Sequence, residues 1–246
     1  MTTQTNRVAI ITGSSRGIGT AIARRLSKDG IAVVINYAGG KQAAEDLAGD
    51  IASDGGRAIA VQADITDPAA LPNLFDAAAA AFGGVDILVN NAGIMALAPI
   101  AQSDDALYQR QVDINLGGVF RGMREAGRRL RDGGRIINFS SSVVGLYQPT
   151  YGVYAATKAA VEALTHIAAK ELGPRGITVN AIAPGPVETD LFLTGKTDAQ
   201  VEAITKLNPQ GRLGQPEDIA GLAAFLASPD SGWVSGQTIR ANGGAV

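Results

Sequence analysis

Tyr154 and Lys158, in the run Tyr154-Ala155-Ala156-Thr157-Lys158, set a phenol and an ammonium four residues apart in a segment whose pattern predicts helix. Residues at i and i+4 project from one helix face, a turn apart. An ammonium there favours the phenolate of its neighbour, whose ordinary pKa is about 10, and turns it into an acid and base usable near neutral pH. Reaching about 7 takes roughly 4 kcal/mol of preferential phenolate stabilisation. The same spacing also arises on ordinary solvated helices, so the pair acquires meaning only from the elements that position it.

Those elements alternate along the chain. Apolar strand-like runs (Arg7 to Thr12, Ala32 to Asn36, Ala58 to Gln62, Ile87 to Val89, Ile136 to Phe139, Thr178 to Ile182 and Gln237 to Ile239) are separated by helical patterns. The first three of these patterns are Ile18 to Asp29, Lys41 to Asp54 and Pro68 to Phe82. Strands apolar on both faces imply a parallel sheet covered by helices on each side. The expected fold is therefore α/β: a single doubly wound Rossmann domain over residues 1–246, with a seven-stranded parallel sheet. Residues 185–211 break the pattern, with Pro186, Pro209 and a short helix over Asp198 to Lys206. Long irregular inserts are commonly functional, and this one reads as a substrate lid, with a plain surface excursion as the alternative.

The turn Thr12-Gly13-Ser14-Ser15-Arg16-Gly17-Ile18-Gly19 joins the first strand to the first helix. Glycines there permit a tight turn and close approach of the backbone to a pyrophosphate, and the helix N-terminus attracts the anion. The Gly-x-x-x-Gly-x-Gly spacing, taken with Tyr154 and Lys158, resembles the short-chain dehydrogenase/reductase family. Further matches follow in order over nearly the whole chain: Asp64-Ile65, Asn90-Asn91-Ala92-Gly93, Asn115, a serine cluster, Pro184-Gly185 and Thr189. The resemblance implies that Asp64 and Ile65 contact adenine, that Asn91, Ala92 and Gly93 line the cofactor, and that Pro184, Gly185, Val187 and Thr189 hold the nicotinamide carboxamide and phosphates. Phrases such as Asn36-Tyr37-Ala38, Gly152-Val153-Tyr154 and Asn242-Gly243-Gly244 are similar to the 3-oxoacyl-acyl-carrier-protein reductase and polyhydroxynaphthalene reductase branch.

By this resemblance Tyr154 is the proton donor, Ser141 orients the carbonyl, Lys158 acidifies the tyrosine and bonds the nicotinamide ribose, and Asn115 holds a relay water. The serine register stays open, because Ser141 stands thirteen positions before Tyr154, the family's usual spacing, while Ser142 carries the Val-Val-Gly that follows the serine in many relatives. At the end of the second strand an acid would bond a ribose 2′-hydroxyl and repel a 2′-phosphate. The chain instead has Asn36-Tyr37-Ala38-Gly39-Gly40-Lys41, with Arg16 in the glycine loop. That set favours NADP over NAD, with Arg16 and Lys41 as phosphate partners and the glycine amides as a cradle.

Composition closes off other classes. The 246 residues carry a net charge of −2, with 46% hydrophobic and 18% charged residues, so neither disorder nor a nucleic-acid partner is expected. No apolar run reaches the roughly 18 residues of a membrane span. The absence of cysteines removes disulfides and thiolate chemistry, and His166, the one histidine, is the sole candidate for a zinc ligand or a Ser-His-Asp triad and reads instead as a packed or solvated side chain. The polar start, Met1 to Arg7, lacks a signal-peptide core, so the expected location is cytoplasmic.

The implied reaction is hydride transfer between nicotinamide and a ketone or secondary alcohol. Met95, Ala96, Tyr147, Gln148, Tyr151, Pro186, Leu191 and Phe192 are candidate pocket walls, or core, and as walls they suit a hydrophobic ketone. A carbonyl reductase or ketoreductase is thus expected, with the 3-oxoacyl-acyl-carrier-protein reductase of fatty-acid synthesis and a non-catalytic nucleotide-binding regulator as alternatives. The resemblance also implies a homotetramer built through helices around residues 103–131 and 154–172.

Overall fold

The structure, a computed structural model, describes residues 7–246. The polar start therefore lies outside the described residues, except for Arg7. Strands β1 (Val8–Ile11), β2 (Ala32–Tyr37), β3 (Ala58–Gln62), β4 (Ile87–Asn90), β5 (Arg135–Phe139), β6 (Thr178–Pro184) and β7 (Thr238–Ala241) form one parallel sheet in the order β3-β2-β1-β4-β5-β6-β7. The order reverses between β1 and β4. In a doubly wound sheet the crevice for a ligand opens at that switch, beyond the carboxyl ends of the strands.

Helices α1 (Gly17–Lys28), α2 (Lys41–Ser53) and α3 (Ala70–Phe82) connect the first four strands. Helix α4 (Asp105–Gln111) runs through a π-helical turn, Val112–Gly118, into α5 (Val119–Arg129). Next come α6 (Val143–Leu146), α7 (Gly152–Leu172), α8 (Asp190–Leu193), α9 (Asp198–Leu207) and α10 (Pro216–Ala227). Successive β1 residues divide between two cores: Ala9 and Ile11 face the side covered by α1, α2 and α10, and Val8 and Ile10 the side covered by α3, α5 and α7. Side chains alternate across a strand, so a fully apolar run is what a sheet covered on both faces requires.

Full burial holds for the inner strands and fails at the edges. β3 is half-buried along most of its length, and β7 carries the exposed Arg240, because each is paired on one side only. β5 begins one residue earlier than its apolar run, at Arg135, a residue 8% exposed whose guanidinium donates to the carbonyls of Gly133, Gly134 and Ser228. A charge enters the sheet there because carbonyls receive its donors.

One polar pair crosses the sheet's interior. Asn90 and Asn138 stand opposite each other in the β4–β5 register, Asn90 Nδ2 donates to Asn138 Oδ1 at 2.8 Å, and Asn138 Nδ2 donates to Thr165 Oγ1 at 2.9 Å. All three residues are buried. A satisfied network in a low-dielectric interior fixes one arrangement, and this one ties α7, which carries Tyr154 and Lys158, to the strands beneath it.

The insert is closed at its base. Val187 and Gly214 form a parallel bridge, Glu188 N donates to Gly214 O at 2.9 Å, and Gly214 N donates to Pro186 O at 2.9 Å. Within it, Thr197 caps α9 through a capping box with Gln200. None of the α9 side chains is fully buried, so its last turn is held by few apolar contacts. No described helix is long and apolar enough to cross a membrane.

Candidate active site

Tyr154 and Lys158 lie in the first two turns of α7, 8% and 4% exposed, and the ammonium stands 5.7 Å from the centre of the phenol ring. Lys158 Nζ donates to Phe139 O, at the end of β5, at 2.8 Å. Burial lowers the lysine pKa to about 8. Burial raises the tyrosine to about 12, a hydrogen bond with Ser141 pulls it down, and Tyr151 pushes it further up. The sequence expectation is that the Lys158 charge and an oxidised nicotinamide jointly acidify Tyr154; in the protein by itself, burial raises the phenol instead. Desolvation of a phenolate outweighs an ammonium whose own charge is disfavoured by the same burial. At neutral pH the tyrosine is a phenol, the form that donates a proton.

The three serines after β5 have separate tasks. Ser140 Oγ donates to Glu162 Oε1 at 2.6 Å, and Ser142 Oγ, 1% exposed, donates to Ala183 O at 3.0 Å and accepts from Asn242 Nδ2 at 3.2 Å. Ser141 is the serine that acts on the Tyr154 phenol, pulling its pKa down, and the two line the same cavity. The geometry favours Ser141 over Ser142 because Ser142 is tied to β6 and to the segment after β7.

Asn115 sits in the π-helical turn, fully buried. Its side chain brackets Ile94, accepting from Ile94 N at 2.8 Å and donating to Ile94 O at 2.9 Å. A Cβ on Gly93 would stand 3.2 Å from Asn115 Oδ1 and 3.6 Å from Lys158 Nζ. The turn is seated by Gly118, where a Cβ would meet Ile65 Cδ1 at 2.4 Å. Such turns recur at functional sites because they displace part of a helix from its regular path. The sequence reading placed helix around 103–131 but saw no such turn.

The glycine loop joins this crevice from the β1 side. Gly13 and Gly17 adopt φ of +62° and +56°, and a Cβ on Gly19 would meet Gly13 O at 2.6 Å. Only glycine satisfies those positions without strain. Ser15 and Gly17 are half-buried, Arg16 is exposed at the N-cap of α1, and the first turn of that helix holds no acid. Arg16 has no side-chain capping bond, so the free N–H groups there suit an anion. Ala38 and Gly39 are exposed at the end of β2, and Lys41 faces Glu45 at 3.7 Å. This donor set, without an acid at the strand end, fits a phosphorylated dinucleotide.

Several residues read as cofactor contacts support the cradle from below. Asn36, 1% exposed, accepts from Gly13 N at 3.2 Å and donates to Ala63 O at 2.9 Å, and Tyr37 packs in the core. Asn91 Nδ2 donates to Thr12 O and Gly13 O, Ala92 lies against Gly13, and Asp64 Oδ1 accepts from Thr66 N at 2.9 Å. Thr12, which the sequence reading passed over, is their common anchor: its hydroxyl accepts from Asn91 N and Ala92 N at 3.0 Å. A threonine opening a glycine motif is the signal that could have revealed it.

A cavity of about 390 Å³ opens between these groups and the insert. Ile18, Asn91, Gly93, Ser141, Tyr154 and Lys158 form one side, with Pro184, Gly185, Val187 and Thr189 at the end of β6. Met95, Gln148, Tyr151, Pro186, Leu191 and Phe192 line it as expected. Two expected walls do not. Ala96 is held away by reciprocal bonds with Gln111, and Tyr147 is 83% exposed. The sequence reading missed Ile204, Leu207 and Asn208 at the end of α9, and Ala245 after β7. Ile204 and Leu207, three apart, share a helix face, a spacing visible in the sequence. His166 is exposed on α7 and takes no part.

Among the cavity's polar side chains, most are committed within the protein: Asn91 to the glycine loop, Thr189 to Val187 O, Asn208 to Asn242 O, and Ser140 and Ser142 as above. The segment leading to α7 holds two residues other than glycine at positive φ, Tyr147 at 50° and Thr150 at 74°. Each such residue costs about 1–3 kcal/mol.

The buried ammonium makes stability depend on pH. With Lys158 lowered from 10.5 to about 8, the unfolded chain binds more protons than the folded chain between those values, so folding stability rises with pH across that window. The full gain is about 3 kcal/mol. In cofactor-free protein, urea unfolding at pH 7 and pH 10 should show the wild type gaining most of that amount relative to Lys158→Met. A pH-independent difference would contradict a depressed lysine.

Comparisons with known proteins agree with this geometry. A family model described as Enoyl-(Acyl carrier protein) reductase matches residues 13–246. A short-chain type dehydrogenase/reductase of Picea abies is 48% identical over 98% of this chain and 92% of its own length. The hydroxynaphthalene reductase-like protein Arp2 of Metarhizium robertsii is 40% identical, covering 98% of this chain and 96% of the relative. The crystal structure of the angucycline C-6 ketoreductase LanV with bound NADP superposes with a TM-score of 0.93 at 36% identity, covering 98% of this chain and 96% of that one. A glycine cradle, a buried tyrosine–lysine pair and matches along almost the full length lead to one conclusion: the chain belongs to the short-chain dehydrogenase/reductase family of oxidoreductases.

Proposed function

We propose that the protein is an NADPH-dependent carbonyl reductase, or ketoreductase, that interconverts a hydrophobic ketone and its secondary alcohol. The observation that carries this reading is that Ser141, Tyr154 and Lys158 together line one wall of a cavity between the glycine cradle and an apolar insert. The solved ketoreductase with bound NADP supports the same reaction.

When bound, NADPH supplies the hydride. Tyr154, a phenol at neutral pH, donates a proton to the carbonyl oxygen as negative charge develops on it, and Ser141 donates a hydrogen bond to the same oxygen. Holding both hydroxyls toward one point fixes the carbonyl's orientation before reaction. Lys158 keeps a positive charge behind the phenol, held by Phe139 O, and reaches the nicotinamide ribose. Asn115, by clamping Ile94, holds the strand-end segment of Gly93 against the ammonium and leaves a path for a relay water. Arg16 and Lys41 bind the 2′-phosphate, with the remaining loop residues around the pyrophosphate. Residues 185–211 act as a lid hinged on the Val187–Gly214 bridge, which excludes water as Leu191, Phe192 and Leu207 close over the substrate. The partly exposed Tyr108, Phe120 and Ile167 on α4, α5 and α7 support a homotetramer built on those helices.

Two measurements test this reading. With NADPH and a panel of aryl and alkyl ketones followed by absorbance, Ser141→Ala should lose at least about a hundredfold in kcat, and Ser142→Ala less than about tenfold. The reverse order would move the catalytic hydroxyl to Ser142, and no turnover of any ketone by the wild type would overturn the activity. Arg16→Ala removes one charge-assisted contact, so it should raise KM for NADPH by about tenfold or more and leave KM for NADH nearly unchanged. An equal effect on both cofactors would contradict the phosphate assignment.

A further inference from the structure

We propose that Tyr151 and Gln148 form a second polar grip beside the Ser141–Tyr154 pair, selecting ketones that carry another oxygen, hydroxyl or carbonyl, on a carbon adjacent or next-but-one to the reacting carbonyl. The inference rests on the reductase reading above and names the substrate class of that same site.

Both side chains line the cavity, and neither polar end makes a hydrogen bond among the described residues. The cavity's other polar side chains are held by the protein or belong to the reacting pair. Tyr151 and Gln148 are thus the polar ends left for a ligand, in a lining that is otherwise mainly apolar. Few, well-placed polar groups among apolar walls are how such sites orient a ligand.

Tyr151 and Tyr154 are three residues apart at the start of α7, with ring centres 6.4 Å apart and ring planes at 64°. The two phenols line one cavity and interact electrostatically, so one substrate carrying two nearby oxygens can meet both hydroxyls. The left-handed residues Tyr147 and Thr150 stand on either side of Gln148 and immediately before Tyr151, and Thr150 O is anchored by Ala98 N at 3.0 Å. Strained backbone persists where surrounding contacts enforce it, and it gathers at ligand sites. Here it flanks two uncommitted polar side chains of the cavity wall, Tyr151 half-buried and Gln148 exposed. Burial also raises the Tyr151 pKa, which keeps its hydroxyl a donor. A phenol and a primary amide can each donate and accept, so the grip takes either a carbonyl or a hydroxyl oxygen.

The test compares two ketones with the same reacting group, 1-phenylpropane-1,2-dione and phenylacetone, reduced by the wild type, Tyr151→Phe and Gln148→Leu. A neighbouring carbonyl activates any ketone, so the change in the dione-to-monoketone ratio on mutation is decisive rather than the ratio itself. Tyr151→Phe should raise KM for the dione by about five- to tenfold, with kcat for both ketones, KM for phenylacetone and KM for NADPH all within about twofold of wild type. Gln148→Leu should shift the same ratio in the same direction, which guards against a packing effect peculiar to Tyr151. Equal changes for both ketones, or no change for either, would overturn the grip while leaving the reductase reading standing. If the wild type reduced neither ketone nor any other, that reading would fail and this inference with it.

Discussion

A buried ammonium held by one strand-end carbonyl is the constraint on which the rest of this site depends. Lys158, with a pKa lowered by burial to about 8, is still mostly charged at neutral pH, and its ammonium donates to Phe139 O at 2.8 Å from a position fixed by the docking of α7 on β5. The asparagine pair between β4 and β5, continued to Thr165, holds that helix at one height over the sheet. Burial works against both charges of the pair, since it depresses the lysine and elevates the tyrosine. The protein therefore presents a neutral phenol beside a marginal cation, an arrangement suited to giving a proton away as an alkoxide forms.

The architecture follows from the same geometry. A parallel sheet puts all its strand carboxyl ends on one edge, and the reversal of order between β1 and β4 separates the connecting helices there. The glycine turn, the segment after β4, the serines after β5 and Pro184-Gly185 after β6 reach that edge from four neighbouring strands. Their scaffolding is polar and buried. Thr12, Asn36 and Asn91 bond the loops to one another, so the cradle is shaped before any ligand arrives, while α9, in the segment proposed as a lid, has no fully buried side chain.

Much of this was legible in the sequence because it rests on local signals. Strand runs, the glycine turn and the i, i+4 pair each follow from periodicity or from backbone demands that few residues meet. What escaped reading depends on contacts between distant segments. The π-helical turn around Asn115 arises where Gly118 meets Ile65, and nothing near Asn115 announces it. Ser140, Ser141 and Ser142 are indistinguishable in a string, and they separate only when Glu162, Tyr154 and Ala183 arrive from α7 and β6. At Tyr154, spacing shows the nearby charge and hides the desolvation that raises the phenol in the protein by itself. Tyr147 and Ala96 were misplaced as walls for a related reason: proximity in sequence to the site does not fix direction, and a left-handed turn and a bond to Gln111 sent them elsewhere.

The central claim is that Tyr154 delivers the proton, and Tyr154→Phe tests it by removing one hydroxyl from a well-packed ring. Steady-state turnover of a good ketone with NADPH, measured beside NADPH affinity by fluorescence titration, separates chemistry from binding. The account predicts a fall in kcat of about a thousandfold with affinity for NADPH within about twofold of wild type. Turnover near the wild-type rate would contradict it.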